Sequence, residues 1–110
     1  MILVIGGAAQ GKKEYVKEHF KQQEGPVFED LHLWIRKRIR EGGNPEQEIL
    51  SYVDNHRNCI LICDEVGNGI VPVDAFEREY RERTGRIQVE LAKRADEVIR
   101  VLCGIGQRIK

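Results

Sequence analysis

A surplus of charge is the first thing missing: eighteen Lys and Arg are cancelled by eighteen Asp and Glu. No net field therefore draws the chain to nucleic acid or to an anionic lipid surface. Nor does any apolar run approach the roughly 20 residues that a membrane-spanning helix needs. The opening run, residues 1–7, is apolar with no basic segment before it, and it reads as a strand rather than a secretory leader. Cysteine is scarce. Cys59, Cys63 and Cys103 are odd in number and lack C-x-x-C spacing, which argues against a disulfide framework or a zinc site and for a reducing, cytoplasmic setting. There is no repeat, low-complexity tract or Pro/Ser-rich linker. The 110 residues, 41% hydrophobic and 33% charged, fit one globular domain over 1–110, large enough to bury roughly 65% of its unfolded surface.

Short apolar runs alternate with longer stretches of helical period, the pattern of an α/β domain whose mainly parallel sheet is flanked by helices. Ile2 to Ile5 is an unbroken apolar run, as expected of a strand buried on both faces. A helix follows from Lys12 to Gln22, with Tyr15, Val16, His19 and Phe20 on one stripe and His19 assigned a packing role. Pro26 to Glu29 is a weaker strand. Asp30 is placed to cap a helix carrying Leu31, Trp34, Ile35 and Ile39, which Gly42-Gly43 stops. Asn44-Pro45-Glu46-Gln47 begins another helix, ending near Asn55, with an Asn cap and Pro in the first position. Cys59 to Cys63 is the clearest buried strand, and Gly67, Gly69 and Pro72 mark a loop. From Val73 to Ala95 opposite charges fall four apart, as in Glu77 with Arg81 and Glu79 with Arg83, and Gly85 is expected to bend or break the helix. Val98 to Cys103 reads as a strand. Gly104 to Gly106 then allows a reversal into an antiparallel C-terminal edge strand over Gln107 to Lys110.

Gly6-Gly7-Ala8-Ala9-Gln10-Gly11-Lys12-Lys13 joins the first strand to the first helix and has the G-x-x-x-x-G-K spacing of a phosphate-binding loop. Small residues let backbone N–H groups converge on a phosphate, and a helix N-terminus adds partial positive charge. Lys12 stands where an ammonium reaches the outer phosphates of a nucleotide. The next residue is ordinarily Ser or Thr, whose hydroxyl binds Mg²⁺. Here it is Lys13, which cannot ligate the ion and repels it, so nucleotide binding survives this change better than phosphoryl transfer. A strand-end carboxylate is also expected at such a site. Glu29-Asp30 and Asp64-Glu65 are the two candidates; from the residues alone Asp64-Glu65, after the run Cys59 to Cys63, is the better strand-plus-acid signal, although either pair can face the site.

The second half resembles the bifunctional adenosylcobinamide kinase/adenosylcobinamide-phosphate guanylyltransferase family. The likeness rests on Glu65-Val66-Gly67-x-Gly69-Ile70-Val71-Pro72, similar to its E-V-G-x-G-I-V-P signature, and continues through Tyr80-Arg81-Glu82, Gly85-Arg86, Leu91-Ala92, Ala95-Asp96-Glu97-Val98 and Gly104-Ile105-Gly106. The start of the chain and Leu31-x-x-Trp34, similar to D-C-L-T-x-W, extend it to residues 1–20 and about 27–110. The resemblance implies a P-loop NTPase-like fold and a homo-oligomer, trimeric in that family. It also implies phosphorylation of a corrinoid side-chain hydroxyl with GTP or ATP, followed by transfer of GMP through a guanylylated histidine in cobalamin biosynthesis.

The departures define what is expected of this chain. The family's long segment with the guanylyl-accepting histidine is reduced to Lys21–Phe28, and none of His19, His32 and His56 matches that residue. His32 takes the threonine position of D-C-L-T-x-W. Glu29 stands where the family has Asp, and Asp64 where it usually has Asn. The resemblance therefore favours Glu29 as the metal-side acid and Glu65 as a polar group near the phosphates, with Lys12 neutralising the transferring phosphate. A nucleotide-binding P-loop protein with its guanylyltransferase half lost and its kinase activity in question is the leading expectation. An active minimal corrinoid kinase is the alternative. A third reading takes Arg36-Lys37-Arg38-x-Arg40, beside Trp34, as a nucleic-acid patch, although such a helical face is usually just solvated.

Overall fold

The apolar runs become strands and the periodic stretches become helices in a computed structural model that describes residues 1–67 and 74–110. The elements are β1 (Ile2–Gly6), α1 (Lys12–His19), β2 (Val27–Phe28), α2 (Leu31–Arg40), α3 (Pro45–Asn55), β3 (Ile60–Asp64), α4 (Ala75–Arg94), β4 (Glu97–Leu102) and β5 (Ile105–Arg108). They build an α/β fold around one sheet with strand order β2-β3-β1-β4-β5. The first four strands are parallel, and β5 returns antiparallel along β4 as the expected edge. Gly69, Ile70, Val71, Pro72 and Val73, which carry part of the signature, the loop and the expected helix start, lie outside the described residues.

Both faces of the sheet are covered. On one, Val4, Ile60, Ile62, Ile99 and Val101 pack against Val16 of α1. On the other, Leu3, Leu61, Cys63 and Val98 meet Leu31, Ile35 and Ile39 of α2, Ile49 and Val53 of α3, and Tyr80, Ile87 and Leu91 of α4. Each such side chain, fully buried, contributes about 1.5–3 kcal/mol, which is why the uninterrupted runs in β1 and β3 go to the centre. Asn44 caps α3 as its sequence requires, its side chain accepting the Gln47 N–H at 3.2 Å.

Several local expectations are corrected. α1 stops at His19, because Phe20 leaves the helical region at φ −125°, ψ 42°. His19 is exposed and does not pack in the core; its ring stacks on Tyr15 at 4.0 Å and Nδ1 approaches the Tyr15 carbonyl. Asp30 gives α2 no side-chain cap; its backbone is left-handed at φ 53° and its carboxylate is taken by Lys13. Gly85 does not break α4. The helix runs through it because Tyr80, Thr84, Ile87 and Leu91 make one continuous buried stripe, outweighing the roughly 1 kcal/mol propensity cost of an internal glycine. Glu79 pairs with Arg83 at 3.7 Å as expected, whereas Glu77 reaches across to Arg36 on α2. The strand boundaries of β3, β4 and β5 differ from the expected ones by one or two residues.

The site is positioned by register. Gly6, the last residue of β1, pairs with Asp64, the last of β3, and a Cβ added at Gly6 would lie 2.5 Å from the Val101 carbonyl oxygen of β4. Gly6→Ala should therefore lower stability by about 1–3 kcal/mol, the usual cost of forced overpacking, measured as a shift in urea midpoint. An unchanged midpoint would show that β1 and β4 approach less closely than this.

Candidate functional site

The loop between β1 and α1 owes its shape to two left-handed residues, Ala9 at φ 56° and Gly11 at φ 86°. Such reversals curl successive peptides into a concavity suited to anions. Gly11 stands at the N-cap of α1 and supplies no capping side chain, so the first-turn N–H groups lack a side-chain acceptor. The concavity encloses about 250 Å³ between Gln10–Lys13, Asp30 and Asp64. That is below the roughly 300–1,000 Å³ of whole small-ligand sites, so it fits a phosphate group or two rather than an entire nucleotide. A larger groove of about 360 Å³ between α3 and α4 is walled by Leu50, Ile87 and Val89 and contains none of the loop residues.

The turn from β4 to β5 braces the loop. The Cys103 N–H donates to Gln10 Oε1 at 2.7 Å, and the Gly104 N–H donates to the Gln10 carbonyl at 2.8 Å. Gln10 thus faces the hairpin with its side chain and offers a ligand its backbone alone. Cys103 and Gly104 are themselves left-handed, at φ 51° and 76°, which keeps that turn tight beside Gly11.

The two lysines diverge. Lys12 folds inward, its Nζ donating to the Gly7 carbonyl at 2.6 Å and lying 2.7 Å from Asp64 Oδ1. Lys13 turns away to Asp30 Oδ2 at 2.8 Å, with Glu29 Oε2 at 3.9 Å. The hydrogen bond to Asp30 raises the Lys13 pKa above its ordinary value. The carboxylate that meets Lys12 is Asp64, not Glu29 or Glu65. Glu29 sits on the exposed rim. Glu65 is committed elsewhere, its carboxylate to Arg100 at 3.3 Å and its N–H to the Gly6 carbonyl at 2.8 Å. β1–β3 register, which decides which acid arrives, is not written in local sequence.

The sequence reading gave His32 no role at the loop. It stands in the first turn of α2, is buried, and addresses Asp64 with both ring nitrogens: Nδ1 accepts the Asp64 N–H at 3.1 Å, and Nε2 lies 3.3 Å from Oδ2. An accepting Nδ1 assigns the neutral tautomer with its proton on Nε2. Burial pushes the pKa of His32 down, opposed by the charge of Asp64. Tyr80 fixes this turn of α2 by donating to the His32 carbonyl at 3.0 Å, and burial pushes its phenol up to about 12. The one available signal was a histidine in the first turn of the helix after the strand-end acids.

The loop does not offer Mg²⁺ its usual hydroxyl ligand: that position is Lys13, whose ammonium is shared with Asp30 and Glu29. The basic stretch on α2 is likewise engaged. Arg36 holds Glu77, Arg38 holds Glu48 and Glu41, and Arg40 lies over the Phe76 ring at 4.9 Å. Among the described residues no helix is long and apolar enough to cross a membrane.

Comparison with known proteins gives the chain its family. The family model described as cobinamide kinase / cobinamide phosphate guanyltransferase matches residues 14–109, beginning just after the loop's second lysine. The chain is 47% identical over 51 residues to the bifunctional adenosylcobalamin biosynthesis protein CobU of Salmonella typhimurium, covering 46% of this chain and 28% of that protein. It is 40% identical over 85 residues to the protein of the same name from Escherichia coli, covering 74% of this chain and 46% of that protein. The chain thus spans less than half the length of these curated relatives.

Because His32 is held neutral below its ordinary 6.5, the unfolded chain takes up a proton that the native state refuses. Stability should then fall as pH drops below about 6.5, by at most about 1.4 kcal/mol per pH unit for this one group. His32→Gln should remove that slope. Urea midpoints between pH 8 and pH 5.5 measure it, and parallel curves for the two proteins would refute the neutral assignment.

Proposed function

The chain belongs to the cobinamide kinase / cobinamide phosphate guanyltransferase family, and on that premise we propose that it is a P-loop protein binding the phosphates of GTP or ATP. What carries this is the β1–loop–α1 unit, in which two left-handed residues shape the concavity and Lys12 stands buried at its base. Residues 6–13 supply backbone N–H groups and the two ammonium groups. Lys12 meets the outer phosphates. Lys13 is paired with Asp30 and Glu29 in the empty loop, and only when drawn from them does it become the cation where a divalent ion is ordinarily held.

The guanylyl-transfer step is absent in this proposal. Only residues 20–26 link α1 to β2, and a covalent intermediate needs a positioned nucleophile. Each histidine is engaged within the chain: His19 on Tyr15, His56 on Tyr52 and His32 on Asp64. Phosphoryl transfer to a corrinoid such as adenosylcobinamide is slow at best, because charge developing on the transferring group lacks a well-held metal. Family membership favours the second reading, a minimal corrinoid kinase. Both readings keep the protein in the cytoplasm and in a homo-oligomer, a trimer by family likeness.

Calorimetry with GTP and with ATP tests the proposal. Lys12→Ala should weaken triphosphate binding by about 1.5–3 kcal/mol, as for hydrogen bonds to charged groups. Wild-type affinity should differ little between Mg²⁺ and EDTA. Equal affinity in wild type and Lys12→Ala would remove the loop from the account. Labelled GTP or ATP with adenosylcobinamide decides between the readings, since phosphorylated corrinoid establishes the kinase. A GMP-mass adduct on a histidine would overturn the loss of guanylyl transfer.

A further inference from the structure

The lysine at the base of the loop already holds an anion that belongs to the protein. Lys12 is 7% exposed and touches Asp64 Oδ1 at 2.7 Å. Asp64 is itself fixed from three sides. His32 Nδ1 accepts its N–H, His32 Nε2 stands 3.3 Å from Oδ2, and Gln88 Nε2 donates to its carbonyl at 2.9 Å. One ring therefore fixes both the backbone and the carboxylate of a single residue, and the other carboxylate oxygen is aimed at the ammonium.

Charge around the loop points the same way. Lys12 and Lys13 bring two positive charges, while Asp64, Asp30 and Glu29 lie within ion-pair distance of them, and His32 is neutral. Three carboxylates pair with the two ammonium groups and Glu14 adds a fourth on the rim, so the empty loop carries no positive surplus. A polyanion entering it meets lysines that are already satisfied.

We infer that Asp64 is an internal competitor for Lys12, a carboxylate standing in for the phosphate that the loop accepts, with His32 as the positioning residue that holds it there. The inference rests on the loop being a phosphate site and deepens it. A phosphate must take Lys12 from Asp64, so affinity is set by how firmly His32 keeps the carboxylate turned toward the lysine. An acid that assisted a metal, or that merely supported the fold, would behave oppositely: its removal would weaken binding.

The experiment is a titration of the full chain with GTP in EDTA, with inorganic pyrophosphate as a second probe. Asp64→Asn keeps the shape of the side chain and removes its charge, and should bind about tenfold tighter or more, the lower end of what a hydrogen bond to a charged group contributes. His32→Gln should shift affinity in the same direction by a smaller factor, a gain that a purely structural role would not produce. Glu14→Gln removes a charge from an exposed acid on the rim of the same cavity and reports the general field effect, expected to be smaller than that of Asp64→Asn. Thermal melts accompany each variant.

Equal or weaker binding by Asp64→Asn, with wild-type binding still dependent on Lys12, overturns the competitor and leaves the phosphate loop standing. So does a gain in Glu14→Gln matching that of Asp64→Asn, or a loss in Asp64→Asn that appears when Mg²⁺ is present. Absence of binding in wild type and Asp64→Asn alike overturns both the competitor and the nucleotide reading.

Discussion

A buried ammonium needs a counter-charge, and here that need is met by the pairing of two strand ends. Lys12 is almost inaccessible, and an isolated charge in that position would be costly to keep. The β1–β3 register sets Gly6 opposite Asp64, which brings the carboxylate to the lysine without any contribution from the loop. Since neighbouring strand residues face opposite ways, a slip by one position would turn Asp64 to the other face of the sheet. The charge state of the site therefore depends on interlocking apolar side chains several residues away: Leu3 and Leu61 on one face, Val4 and Ile62 on the other.

Most of the architecture was legible because it is local. Runs such as Ile2 to Ile5 leave few alternatives to a doubly covered strand, and Asn44-Pro45 states its helix start in residue types alone. β2 was a weak signal for a physical reason: it is two residues long and Val27 is exposed. The loop itself could be read from glycine and lysine spacing. The acid opposite it could not, because Glu29, Asp64 and Glu65 are all strand-end carboxylates and only long-range register distinguishes them. The apolar run before it made Asp64-Glu65 the better signal, family likeness then moved the choice to Glu29, and the sheet brings Asp64 to Lys12. His19 and His32 exchanged importance on similar grounds. A helical stripe suggested burial for His19, but α1 ends there; His32 matters because α2 starts beside the end of β3.

The substitutions around the loop make sense as pairs. Lys13 in place of a hydroxyl residue would by itself be an unpaired cation beside the loop, yet Asp30 takes it up at 2.8 Å. Asp30 in turn gives up the capping role its residue type suggests. Asp64 at the end of β3 would by itself be an unpaired carboxylate beside the loop, yet Lys12 and His32 share it. Two departures that look damaging singly thus each find their own partners, Lys13 in Asp30 and Asp64 in Lys12 and His32.

The hairpin that clasps Gln10 has a consequence for how the protein is made. β1 is synthesised well before its partners β3 and β4, residues 60–64 and 97–102, and the brace on its loop waits for residues 103 and 104. Contacts so distant along the chain close late and slowly. During synthesis the apolar stretch from Ile2 to Ile5 must therefore wait without either neighbour, the state in which unpaired strands aggregate. A strand made before both of its neighbours is secured only after they arrive, which makes the growing chain, rather than the finished fold, the stage most exposed to misassembly.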